Sequence, residues 1–169
     1  MPKKIKRISF AQAINEALTY SLKKDKNLIC YGLGVTDPKG VFGTTLNLHK
    51  KFGSKRCFDT PLSEDAMTGI GIGSALAGLR PIFVHQRMDF LLLCMNQIVN
   101  MAAKIRYITS GEHNVPIVIR AAIGRSWGQG AQHSQALQAL LIQKQQLLDT
   151  LDSKYRIMKQ DFDTLAKNY

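Results

Sequence analysis

The sequence predicts an α/β fold with three layers, a mostly parallel sheet carrying helices on both faces, over residues 1–142, followed by a helical tail over residues 143–169. Three observations lead there. Short, near-continuous apolar runs alternate with amphipathic stretches, the pattern of strands buried on both faces and joined by crossover helices. Glycine-rich loops follow several of those runs. Beyond Ile142 glycine and proline cease, and Leu148, Leu151, Tyr155, Met158, Phe162, Leu165 and Tyr169 recur at alternating three- and four-residue steps, a heptad stripe.

Ser9 with Gln12 forms a capping-box start, and Phe10, Ala13, Ile14, Ala17 and Leu18 keep helical spacing up to the charged Lys23–Lys26 cluster. Leu28 to Tyr31 reads as a buried strand feeding a loop from Gly32 to Gly43 that holds four glycines and a proline. A short helix around Leu46 to Phe52, a strand at Cys57 to Asp59, a helix from Asp65 to Leu79 and a strand at Pro81 to His85 continue the alternation. One long helix is expected from Asp89 to Thr109, then a strand over Pro116 to Ala121, then a glycine loop from Gly124 to Gly130 opening onto a helix near His133. In such sheets ligands bind beyond the carboxyl ends of strands, so the loops after the strands are expected to converge at one edge.

Composition narrows the partners. The chain has 169 residues, 45% of them hydrophobic and 21% charged, which suits a folded domain with its own core. The formal charge of +11 raises nucleic acid or an anionic ligand. Lys3, Lys4, Lys6 and Arg7 form one run, and Lys50, Lys51, Lys55 and Arg56 flank a glycine turn, without interleaved aromatics. A solvated face is the default for these, a docking patch at Lys50 to Arg56 the alternative, and nucleic acid is not expected. Cys30, Cys57 and Cys94 stand singly and show no metal-ligand spacing, as expected of buried, reduced thiols. The longest apolar run, Phe90 to Met95, is too short to span a bilayer, so the chain is expected to be cytoplasmic and not membrane-bound.

Several segments carry candidate chemistry. Asp59-Thr60-Pro61-Leu62-Ser63-Glu64 precedes a helix studded with Gly69, Gly71, Gly73 and Gly78. By position alone, Glu64 and Asp65 are acids favoured at a helix start. The glycine spacing is not that of a dinucleotide fingerprint, and the glycines are expected to admit a closely packed neighbouring helix. His133, in Ala131-Gln132-His133-Ser134-Gln135, is an imidazole able to move protons near neutral pH, or a helix-start cap. His85 reads as a strand-end histidine and His113 as a turn residue.

Together with Asp89-Phe90 and Asn96-Gln97-Ile98-Val99-Asn100-Met101-Ala102-Ala103-Lys104, and with the loop from Gly34 to Thr45 around Gly40-Val41-Phe42-Gly43, these segments resemble the pyrimidine-binding domain of the β subunit of 2-oxo acid dehydrogenase E1 components, the group that includes pyruvate dehydrogenase E1 β. The resemblance covers residues from about 5 to 141. It implies thiamine diphosphate as cofactor, with the aminopyrimidine bound here and Mg2+ and the diphosphate held by an E1 α-like subunit, since nothing in this chain resembles the G-D-G motif that does so. It implies that the Glu64 carboxyl bonds the pyrimidine, that His133 assists proton transfer, and that Phe42, Leu62, Gln86, Arg87 and Asp89 shape the pyrimidine pocket. Catalysis by the whole assembly would be oxidative decarboxylation with acyl transfer to a lipoyl-bearing E2.

Departures from the pattern leave alternatives. Asn96 stands where the family commonly has Asp, and Tyr31-Gly32-Leu33-Gly34 replaces its acidic loop entry. Arg87 falls where many β subunits place an aromatic ring, so it either meets a substrate carboxylate or phosphate through its planar fork or is a surface arginine. The family's second domain is not recognisable after Ile142, where the heptad tail is expected to cover apolar surface of its own domain or to form an intermolecular coiled coil. A truncated, non-catalytic paralogue that pairs with an E1 α-like subunit is the competing reading, and self-association a further partner option.

Overall fold

The computed structural model describes residues 7–123, 129–142 and 153–160. Helix α1 (Phe10–Lys24) starts at the expected capping box, with Gln12 N–H donating to Ser9 Oγ and Ser9 N–H to Gln12 Oε1. Lys23 and Lys24 occupy its last turn, where cations meet the negative end of the helix dipole. Strand β1 (Leu28–Gly32), the short turn α2 (Gly40–Gly43), helix α3 (Leu48–Phe52), strand β2 (Cys57–Asp59), helix α4 (Glu64–Leu76), strand β3 (Arg80–His85), helix α5 (Ile105–Ile108) and strand β4 (Val118–Ala121) follow.

All strands pair in parallel, in the order β2-β1-β3-β4, with Cys30 opposite Cys57 and Ile82, and Phe83 opposite Ile119. Neighbouring residues of a strand face opposite ways, so Cys30 and Tyr31 identify the two faces. On the Cys30 side, Leu28, Cys57, Ile82 and Val84 enclose a core with Leu18 and Leu22 of α1 and Leu48 of α3. On the other side, Tyr31 stacks on Phe58 and Phe83, and its hydroxyl donates to the Met67 carbonyl of α4 at 2.9 Å. Helices therefore cover both faces, and the three-layer architecture stands.

The three cysteines are free and buried. Burial pushes the Cys30 thiol up to about 12 and Cys57 up to about 11. Arg56 belongs less to a basic patch than to the sheet: its Nε and Nη2 donate to the Leu28 carbonyl, and Nη2 also to that of Asp25.

Two expectations are corrected. The span from Asp89 to Thr109 is not one α-helix but a 3-10 helix (Met88–Cys94), a π-helical turn (Gln97–Ala102) and α5. Met88, Leu91 and Cys94 are buried together at three-residue spacing, which three residues per turn keeps on one side and an α-helix does not. Near His133 the chain makes only a 3-10 turn (Ala131–His133), with helix at 138–142. Of the tail, residues 153–160 are helical and exposed, and Tyr155 meets the Tyr107 ring edge-on at 5.8 Å. Leu148, Leu151, Phe162, Leu165 and Tyr169 lie outside the described residues, as does the loop at 124–128. Among the described residues no helix is long and apolar enough to cross a membrane.

The glycines of α4 divide by what they face. A Cβ on Gly71 would lie 2.1 Å from Tyr31 Oη and 2.9 Å from Ile117 Cδ1, whereas one on Gly73 would meet nothing within 4 Å. Close approach is thus required at Gly71 by a sheet tyrosine, whereas at Gly69, where a Cβ would lie 3.3 Å from Gln97 Oε1, the neighbour is the expected helical element, here the π-helical turn. Because Tyr31 is locked between rings, Gly71→Ala should destabilise the fold by about 1–3 kcal/mol. Gly73→Ala should stabilise it by about 0.5–1 kcal/mol through backbone entropy. Urea unfolding of the two variants checks the opposite signs.

Candidate functional site

The order β2-β1-β3-β4 makes the connections leave β1 and β3 in opposite directions, and between such strands a crevice opens at their carboxyl ends. Gly32 ends β1 there at φ +138°, and a Cβ on it would lie 2.2 Å from the Val84 carbonyl oxygen. The next residue closes the contact, Leu33 N–H donating to that same carbonyl at 2.9 Å.

A cavity of about 480 Å³ occupies the crevice, lined by Leu33, Leu62, Glu64, His85, Gln86, Arg87, Phe90, Leu93, Gln129 and His133. Each of the four loops expected at this edge contributes. Glu64 opens α4 and is buried at 8% exposure; its neighbour Asp65 is exposed and accepts from Gln97 Nε2 at 3.3 Å. The Glu64 side chain thus sits at the positive end of the α4 dipole, a setting that suits an acid, and in a wall of the cavity. Leu62, 80% exposed, and Leu93, 58% exposed, give the mouth an apolar rim.

His133 comes in from the far segment. Its ring meets Phe90 edge-on at 5.1 Å, and its Nδ1 is buried with no hydrogen-bond partner among the described residues. Arg87, 7% exposed, donates from Nη2 to Gln129 Oε1 and, over a long 3.5 Å, from Nη1 to the His133 carbonyl. The surface-arginine alternative for Arg87 is therefore excluded.

Two expected pocket residues stand elsewhere. Asp89 is buried but is not among the lining residues, and its Oδ1 accepts from Gln135 N–H at 2.9 Å. Phe42 is not among the lining residues; it is 45% exposed on a turn where Val41 (φ 36°) and Phe42 (φ 59°) are both left-handed. That turn is pinned from outside the cavity: Asn15 Nδ2 donates to the Thr44 and Leu46 carbonyls, and Thr44 Oγ1 to the Val41 carbonyl. This left-handed backbone geometry costs about 1–3 kcal/mol per residue.

Five lining residues, Leu33, His85, Phe90, Leu93 and Gln129, are not among those expected to shape the pocket, and of these the sequence reads His85 as a strand-end histidine. His85, 1% exposed, packs edge-on against Phe83 at 4.3 Å, with Nε2 3.4 Å from Cys94 Sγ and Nδ1 buried without a partner among the described residues. Burial lowers its pKa from 6.5 to about 4 and raises that of the Cys94 thiol, so both are neutral at pH 7. The signal available was its position at the carboxyl end of an apolar strand, next to two further polar residues.

The unfolded chain, with an ordinary histidine, binds more protons than the folded one between pH 6.5 and 4, so stability falls as pH drops through that window. His85 should account for about 3 kcal/mol of loss by pH 4. His85→Phe keeps a ring against Phe83 and removes that dependence, and melting curves of both proteins at pH 7, 5.5 and 4.5 check the difference in slope.

Comparison with known proteins agrees with the fold. Residues 6–145 match the family described as transketolase, pyrimidine binding domain. Over 133 residues, 79% of this chain, the sequence is 40% identical to the 2-oxoisovalerate dehydrogenase subunit beta of Bacillus subtilis (strain 168). Over the same share of the chain it is 38% identical to the mitochondrial pyruvate dehydrogenase E1 component subunit beta of Bos taurus and of Homo sapiens. The matched part spans about two fifths of the length of these relatives, 41% of the first and 37% of the others. The parallel sheet, the cavity beyond its strands and the match over residues 6–145 make the chain a member of the transketolase pyrimidine-binding-domain family.

Proposed function

We propose that this chain is the β-subunit-like half of a thiamine diphosphate-dependent 2-oxo acid dehydrogenase, binding the aminopyrimidine end of the cofactor against an E1 α-like subunit. The observation that carries the reading is the buried Glu64 at the start of α4, in the wall of the same cavity as His133. The residues fit the group: the Glu64 carboxyl is offered in a wall where Leu33, Leu62, Phe90 and Leu93 supply apolar surface and His85, Gln86, Arg87, Gln129 and His133 the other polar groups, a lining suited to a heteroaromatic ring with hydrogen-bonding nitrogens.

When bound, thiamine diphosphate supplies the electron sink that decarboxylation of a 2-oxo acid needs. Glu64 would share a proton with a pyrimidine ring nitrogen, and Leu62, Phe90 and Leu93 would exclude water from that contact. His133 would hold or pass a proton at its ring nitrogens on the substrate side. Mg2+ and the diphosphate are assigned to the α-like subunit, and acyl transfer to a lipoyl-bearing E2 would complete the reaction. The names of the similar proteins, subunits of pyruvate and 2-oxoisovalerate dehydrogenases, support this class of reaction.

The test is co-purification with the candidate α-like subunit, followed by thiamine diphosphate binding and 2-oxo acid-dependent reduction of an artificial acceptor. Glu64→Gln should lower turnover by about 100-fold or more, the usual scale for a proton-transfer group, while leaving subunit pairing intact. Stable pairing with no turnover in either protein would instead identify a non-catalytic partner of the α-like subunit.

A further inference from the structure

We infer that Arg87 is a positioning residue for His133: with Phe90 and Asp89 it fastens the 129–135 segment so that the imidazole stands in the cavity wall. The kinetic part of this inference rests on the function proposed above; the spectroscopic part does not.

The 129–135 segment has little structure of its own. Its 3-10 turn is held by two long backbone bonds, His133 N–H to the Gly130 carbonyl and Ser134 N–H to the Ala131 carbonyl, each 3.3 Å. Its place therefore depends on tertiary contacts, and residues 87–90 supply four. Arg87 Nη2 donates to Gln129 Oε1, Arg87 Nη1 to the His133 carbonyl, the Phe90 ring takes the His133 ring edge-on, and Asp89 Oδ1 accepts from Gln135 N–H. These contacts lie on both sides of His133 in sequence, so the residue is held from before, at and after its own position.

Arginine suits this duty because its guanidinium presents N–H groups in a rigid plane, two of which here reach acceptors four residues apart in the segment. A lysine ammonium is a single point on a flexible stem and cannot hold that pair in one geometry. Asp89 explains itself in the same way: buried outside the cavity lining, it stops the segment two residues past His133. A change of about 1 Å in the place of a catalytic group can cost on the order of 100-fold in rate.

The test combines two readouts on Arg87→Lys and Arg87→Gln. In the full chain with ring-labelled histidines, the His133 imidazole signal is assigned by its loss in His133→Gln. In both Arg87 variants it should move toward the position of an unfolded-chain histidine, as the Phe90 ring contact is lost, while the His49 and His113 signals stay. In the complex with the α-like subunit, supplied with thiamine diphosphate, kcat should fall by about 100-fold with KM for the 2-oxo acid changed by less than about threefold, since the inference gives Arg87 a hold on His133 and not on the substrate. An unmoved His133 signal in a folded variant overturns the inference. A raised KM with that signal unmoved also overturns it, in favour of direct contact between Arg87 and the substrate carboxylate. If Arg87 variants fail to fold, Gln129→Ala, which removes one acceptor from an exposed position, should shift the His133 signal in the same direction by less; no shift there is equally fatal. A wild type without cofactor-dependent turnover would end the functional reading and leave the spectral result to decide this one.

Discussion

The approach of two backbones at Gly32 and Val84 is the constraint on which the rest of the site depends. Parallel strands β1 and β3 lie side by side, yet their onward connections part, one toward β2 through the α2 and α3 side and the other toward β4. A side chain on Gly32 would drive into the Val84 carbonyl and push the strand ends apart. With only hydrogen there, Leu33 turns and donates to Val84, Thr60 N–H donates to the Gly32 carbonyl at 3.0 Å, and three strand ends are tied within one small region. The crevice that results is a product of backbone geometry before any side chain is considered.

The polar groups in that crevice differ in how they are held, and this sets what each can do. His85 is fixed from below by Phe83 and Cys94 and is neutral through the physiological range, so it can offer a hydrogen bond but carries no charge. Arg87 carries a permanent charge and is spanned across two segments. Glu64 is positioned by a regular helix, the stiffest support of the three, whose first turn is further tied by Thr68 Oγ1 donating to the Glu64 carbonyl at 2.7 Å. An acid on a helix start, a cation on a strand-end turn and an imidazole on a loosely structured segment make a site whose precision falls in that order.

Much of this was legible in the sequence because the signals were local. The capping box at Ser9, the apolar strand β1 and the parallel order implied by crossover helices all rest on periodicity and short-range chemistry. Glu64, Leu62, Gln86, Arg87 and His133 were legible as candidates only together, through a resemblance, and the structure brings all five to one cavity. What was not legible depended on tertiary contacts or on an unusual helical period. The left-handed pair at Val41 and Phe42, a conformation disfavoured by a β-branched residue, exists because Asn15 and Thr44 hold it, and no propensity scale anticipates that. His85 looked ordinary because its environment, and not its neighbours in sequence, makes it a wall residue. Expectations for a 3.6-residue period failed between Met88 and Ala102, where the chain winds first tighter and then wider than an α-helix.

That widening changes how the outer surface of this segment should be numbered. Ala103 N–H donates to the Ile98 carbonyl, five residues back, at 3.0 Å, so the π turn carries one residue more than an α-helical count allows. Side chains after it are rotated relative to those before it, and a helical wheel drawn through the whole stretch assigns Met101, Tyr107 and Ile108 to the wrong compass points. All three are exposed, Tyr107 at 72% and Ile108 at 67%. Any map of what this face touches therefore has to be phased separately before and after the π turn at Gln97–Ala102, or it will pair residues that look in different directions.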